Sequence, residues 1–150
     1  MMTPLAEGGQ QQLATVRPMP RTRVSDAAGL TVADVIHERF TALPANATIG
    51  AVSDWFAASS SRRMAILADA GRYVGSLMPA DVAGDLDAAR PAAEVARFAP
   101  TVAPEAPASA GEALVLSTAA RRVPVVDAGG RLLGIVSVTG DLTAFCGTGL

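Results

Sequence analysis

Apolar and polar positions alternate along the chain in two different periods, and the switches between them mark out the elements. Val32, Val35 and Ile36 are spaced as one face of a helix, with Thr31 as its N-cap and Asp34 in its first turn. Residues 40–43 read as a short extended piece, stopped by Pro44. Thr48 then opens an amphipathic helix through Ile49, Val52, Trp55 and Phe56 to about Ser60. The apolar run 64–67, the turn signature Asp69-Ala70-Gly71 and the run 73–77 predict a β-hairpin. Pro79, at an N1 position, predicts a further helix through Val82 to about Leu86.

The same order returns in the second half. Val95 reads as a helix residue, Thr101 and Val102 as extended, and Pro104 as the stop. Ser109 is the expected cap of a helix containing Ala113, Leu114 and Leu116. Residues 123–126 and 132–138 form the expected hairpin around the turn 127–130, and a last helix is predicted over 139–145. The duplication is visible residue by residue, at an offset of 59 positions (62 to 121, 71 to 130, 75 to 134). Residues 1–29 carry no sustained periodicity and are expected to be an irregular tail. The expected boundaries are therefore a tail at 1–29, a first repeat at 30–88 and a second at 89–150. One copy of about 50–60 residues buries too little surface to be comfortable alone. The two copies are expected to pack face to face about a pseudo-twofold axis, with clefts between them.

Composition narrows the chemistry. Half of the 150 residues are hydrophobic, but 31 are alanine and only 4% of the chain is aromatic, so the core must rest on small side chains in close contact. The net charge of −2 gives no global field towards nucleic acid or an anionic membrane, and neither is an expected partner. All 12 basic residues are arginine. Cys146 has no second cysteine to pair with, and with His37 as the lone histidine it cannot make a zinc site. No run approaches the roughly 18 apolar residues of a membrane span, and the polar amino terminus has no signal-like core, so a cytoplasmic protein is expected. No nucleophile–base pair can be assembled, and the chain is not expected to be an enzyme.

At this point the string RRVPVVDAGGRLLGIVSVTGDL at 121–142, with its counterpart RRMAILADAGRYVGSLMPADV at 62–82, resembles the cystathionine-β-synthase (CBS) domain, present here as a tandem pair. The resemblance covers roughly residues 31–145. It implies an α+β fold (an α/β sandwich-like arrangement) of two β-α-β-β-α repeats packed face to face with pseudo-twofold symmetry. It further implies a regulatory module that binds an adenosine-containing ligand (AMP, ADP, ATP or S-adenosylmethionine), forms a homodimer and signals to a protein partner. The alternative is a ligand-free dimerisation or adaptor module.

The resemblance also supplies candidate site residues. The family's motif is Gly-apolar-apolar-Ser/Thr-x-x-Asp, whose hydroxyl and carboxylate face the ligand phosphate and ribose. The first copy keeps Asp81 but has Met78 at the hydroxyl position. The second keeps Ser137 but has Gly140 at the carboxylate position, with Asp141 one residue late. Asp81 and Ser137 could equally cap the start of a helix, as could Thr139. The entry segments, with Thr41 and Leu43 in the first copy and Thr101 and Ala103 in the second, would offer backbone hydrogen bonds to an adenine edge. Arg121 and Arg122, like Arg62 and Arg63, would meet phosphates or stand as solvated charges, and Pro124 in the following strand completes the set. Trp55 and Phe56 read as core or dimer face rather than a platform for a ligand ring.

Overall fold

A computed structural model describes residues 22–97 and 100–146; of the irregular tail expected at 1–29, residues 1–21 lie outside them, while 22–29 form a short strand and a helical turn, with Ala27 buried in a core. The described part begins with a two-residue strand, β1 (Thr22–Arg23), and a short helix, α1 (Val32–Val35). The first repeat follows as β2 (Ala42–Pro44), α2 (Ile49–Ala57), β3 (Ala65–Asp69) and β4 (Arg72–Leu77). Strand β2 lies parallel to β3 and β4 antiparallel to it, with α2 as the crossover. Thr48 caps α2 as expected, its side-chain oxygen accepting from the Ala51 N–H at 3.1 Å. Ala70 and Gly71 both take positive φ, 51° and 81°, the conformation a two-residue hairpin loop requires between right-twisted strands.

The second repeat contains α3 (Ala108–Ser117), β5 (Arg122–Val126) and β6 (Leu132–Ser137), and β5 and β6 form the expected antiparallel hairpin. Val102 takes the place of β2, bridging Val125 in parallel. Three expectations are corrected. The segment from Pro79 is a single tight turn that ends at Val82, not a helix to Leu86. Helix α3 starts one residue before Ser109, with Pro107 at its N-cap, and the Ala108 N–H is satisfied by the Leu30 carbonyl at 2.9 Å. The predicted helix at 139–145 is absent. Asp141 Oδ1 instead gathers the hydroxyls of Thr139 and Thr143 at 2.6 and 2.7 Å, and Leu142 takes φ +65°. Such side-chain bonds offer the backbone an alternative to helix. The chain turns back, and β7 (Ala144–Phe145) pairs with β1.

The repeats exchange their leading segments. Val32 and Val35 of α1, both fully buried, belong to the second repeat's core with Val115, Val123 and Val136. Ala92, with Val95 and Ala96 packed beside it, belongs to the core of the first. After each exchanged segment the chain lies on the other repeat's hairpin. His37 exchanges backbone hydrogen bonds with Ile135 at 2.8 and 3.1 Å, and Arg97 does so with Ser76 at 2.9 and 2.8 Å. The motif glycines make room for this crossing. A Cβ on Gly134 would stand 2.7 Å from the His37 carbonyl oxygen, and one on Gly75 would stand 3.3 Å from that of Arg97. Between the repeats, Met64, Ile66, Ala120, Leu132 and Ile135 form a buried seam. The hairpin tips also trade bonds, Tyr73 N–H to Gly130 and Leu132 N–H to Gly71, at 3.0 and 2.9 Å. The pseudo-twofold thus holds down to individual hydrogen bonds.

Candidate functional site

Two adjoining cavities open where the crossing segment of the first repeat meets the hairpin of the second. One, of about 450 Å³, is lined by Arg63, Arg121, Arg122, Ser137, Thr139 and Cys146, among others. Its neighbour, of about 380 Å³, is lined by His37, Arg39, Thr41, Trp55, Arg62 and Ile135, and shares Arg122, Ser137 and Cys146 with it. Among the described residues neither has an Asp or Glu in its lining. Volumes of this size suit a small organic ligand.

Local backbone geometry explains the concentration of positive charge. Successive side chains of a strand point to opposite faces. Arg121 stands immediately before β5 with φ +58°, outside that alternation, and lines the same cavity as Arg122. A left-handed backbone at a non-glycine residue costs roughly 1–3 kcal/mol, and such strain collects at functional positions. Arg122 is half-buried and donates from Nη2 to the Ser61 carbonyl at 3.3 Å. Its pKa is lowered by burial first and then by the neighbouring Arg63. Arg62 is differently engaged. It donates to the Trp55 carbonyl at 2.6 Å and lies 4.5 Å over the Trp55 ring, a cation–π contact that covers the indole face.

His37 Nε2 is buried without a hydrogen-bond partner. Burial, and then the charges of Arg122 and Arg39, push its pKa below 6.5. As pH falls the unfolded chain therefore takes up the proton first, so stability is full above about 6.5 and drains below it. Wild type should show a lower urea midpoint at pH 5.5 than at pH 7.5, and His37→Gln should lose most of that difference. Equal pH losses in both proteins would assign the titration to another group.

Thr41, Ser137, Thr139, Arg121 and Arg122 line the cavities; the other candidates do not. Asp81 closes the tight turn at 79–82, with Oδ2 accepting from the Met78 N–H at 2.7 Å and Oδ1 bonded to Arg97 at 2.8 Å. In this structure Asp81 caps the turn, one of the two roles left open for it. Met78 packs against the seam, and Leu43 against the first core. Pro124 is fully buried, its carbonyl taken by the Val102 N–H at 3.1 Å. Thr101 and Ala103 are exposed on either side of Val102. Asp141 is held in its own turn by Thr139 and Thr143, whose hydrogen bonds lower its pKa to about 2. His37, Arg39 and Cys146 were not among the sequence candidates. The signal for His37 was its register: it precedes Thr41 by four residues, as Arg97 precedes Thr101.

Two repeats, each a hairpin joined to a parallel entry strand and crossed by the other's leading segment, make the fold of a tandem CBS-domain pair. The CBS domain family model matches residues 92–139, and the architecture of the described residues is that of CBS-pair structures. No curated protein sequence matches it. Among solved structures it is similar to the CBS-pair domain of a protein from Shewanella oneidensis MR-1, with TM-score 0.62 and 18% identity, over 71% of this chain and 64% of that one. It is similar to the CBS-pair protein CBSX2 of Arabidopsis thaliana, with TM-score 0.61 and 20% identity, over 71% and 87%. A CBS domain protein of Pyrobaculum aerophilum, complexed with AMP, gives 0.60 and 26% identity over 72% and 87%.

Proposed function

We propose that the chain is a regulatory module that binds an adenine nucleotide in the cleft between its repeats and passes the bound state to a protein partner, working as a homodimer in the cytoplasm. The observation that carries the reading is the arginine-lined cleft itself, where Arg63, Arg121 and Arg122 surround a cavity without a carboxylate. Guanidinium groups are suited to phosphate oxygens by their planar, bidentate geometry. The AMP complex of the Pyrobaculum relative supports the choice of ligand.

A ligand present at 100 times its dissociation constant should add about 2.7 kcal/mol to stability. For a chain of this length that is a rise in Tm of roughly 5–11 °C. Differential scanning fluorimetry with AMP, ADP, ATP and S-adenosylmethionine reads it directly. A second reading, the ligand-free adaptor, is favoured by Asp81 being engaged with Met78 and Arg97. A melting temperature unmoved by all four compounds would decide for it.

A further inference from the structure

We infer that the cleft takes a nucleoside polyphosphate by its phosphate chain and leaves the sugar unread. The inference rests on the nucleotide-binding reading above and concerns which part of the nucleotide is gripped.

The first observation is the charge of the walls. Arg63, Arg121 and Arg122 line the larger cavity, and the described ion pairs, Arg90–Glu94 and Arg97–Asp81, leave all three without a carboxylate. A single phosphate carries about 1.5–2 negative charges at neutral pH. A triphosphate chain therefore balances three guanidinium groups better than a monophosphate does. The hydroxyl-bearing residues Ser137 and Thr139 stand on the same wall, and hydroxyls can donate to phosphate oxygens.

The second observation is where the carboxylates went. A ribose diol is two adjacent donors, and its natural grip is a carboxylate with two free oxygens. Neither candidate offers two free oxygens to these cavities. Asp81 spends one oxygen on the Met78 N–H and the other on Arg97. Asp141 spends Oδ1 on Thr139 and Thr143 and stands outside the lining of both cavities. The left-handed backbone at Arg121, by contrast, keeps a second guanidinium beside Arg122 against the ordinary alternation of a strand. Among the described residues the site has its cations, at some cost in strain, and no diol acceptor.

Isothermal titration calorimetry of the full chain with ATP, 2′-deoxy-ATP, adenosine and inorganic tripolyphosphate tests this. The expected result is ATP and 2′-deoxy-ATP within about twofold of each other, since losing a hydroxyl costs tenfold only where about 1.4 kcal/mol of contact is lost. Adenosine should bind at least about 100-fold more weakly, and tripolyphosphate should displace ATP. The double variant Arg63→Ala with Arg121→Gly should weaken ATP about tenfold or more while keeping the wild-type melting temperature within a few degrees. Glycine is chosen at 121 because it accepts the positive φ. Should 2′-deoxy-ATP bind tenfold more weakly than ATP, or adenosine bind as well as ATP, the inference falls and the nucleotide reading stands. Binding of tripolyphosphate with no nucleotide bound would instead overturn the nucleotide reading, and with it the inferred ligand class. Absence of heat with every compound overturns both.

Discussion

Phe145→Ala should destabilise the protein by about 3–5 kcal/mol, the range for emptying a buried phenylalanine site. Phe145 is fully buried, the largest such side chain among the described residues, and sits in the second core beside Val35 and Val123. Against a total stability of about 5–15 kcal/mol this is a large fraction, a fall in Tm of roughly 6–20 °C. The control is three residues away. Leu142 is 46% exposed, and Leu142→Ala should change stability by no more than about 0.5 kcal/mol. On a helix the two positions would share a face and both would matter. Urea melts of both variants discriminate: comparable losses would restore the helix, whereas a loss confined to Phe145 supports the β1–β7 pairing.

The second large effect concerns Gly134. An added methyl group would meet the His37 carbonyl at 2.7 Å and the Ile36 side chain at 2.8 Å, closer than such atoms approach, so the crossing segment must move away. That movement stretches both hydrogen bonds between His37 and Ile135. Gly134→Ala is expected to cost about 3 kcal/mol, the upper part of the range for overpacking. Its counterpart provides an internal scale. At Gly75 the nearest neighbours would be the Ala96 methyl at 3.2 Å and the Arg97 carbonyl at 3.3 Å, contacts a shift of a few tenths of an ångström relieves. Gly75→Ala should cost about 1 kcal/mol. Chemical denaturation of the pair checks the order, and equal costs would mean that the two crossings are equally tight.

Much of this fold was legible from the chain alone. Hairpins announced themselves through turn residues such as Ala70-Gly71, and the 59-residue offset tied one repeat to the other. Helix α2 was readable from Thr48 and the spacing of Ile49 and Val52. Non-local arrangements were not. Periodicity places Val32 and Val35 on a helix face but cannot say that this face belongs to a core built some 70 residues later. Ser109 looked like a cap because sequence does not show that the Leu30 carbonyl reaches Ala108 first. At 139–145, apolar residues near helical spacing were outweighed by the hydrogen bonds on Asp141, a side-chain effect that pattern alone does not register. The candidate site was half legible for the same reason. Arg121, Arg122, Ser137 and Thr41 were singled out by motif, whereas the ion pair of Asp81 with Arg97, sixteen residues away and brought back by the crossing, left no mark in the sequence.

The exchange of leading segments also constrains how the chain is made. A ribosome delivers the amino terminus first, and domains ordinarily close in that order as they emerge. Here the first core cannot close until Ala92, Val95 and Ala96 have been synthesised, although its last strand ended at Leu77. Meanwhile Val32 and Val35 must wait, apolar and unpartnered, until β6 and then Phe145 arrive to cover them. The first core can therefore close once Ala96 has been made, whereas the second waits for Phe145. For most of its synthesis the nascent chain exposes helix α1, a natural point of engagement for a chaperone.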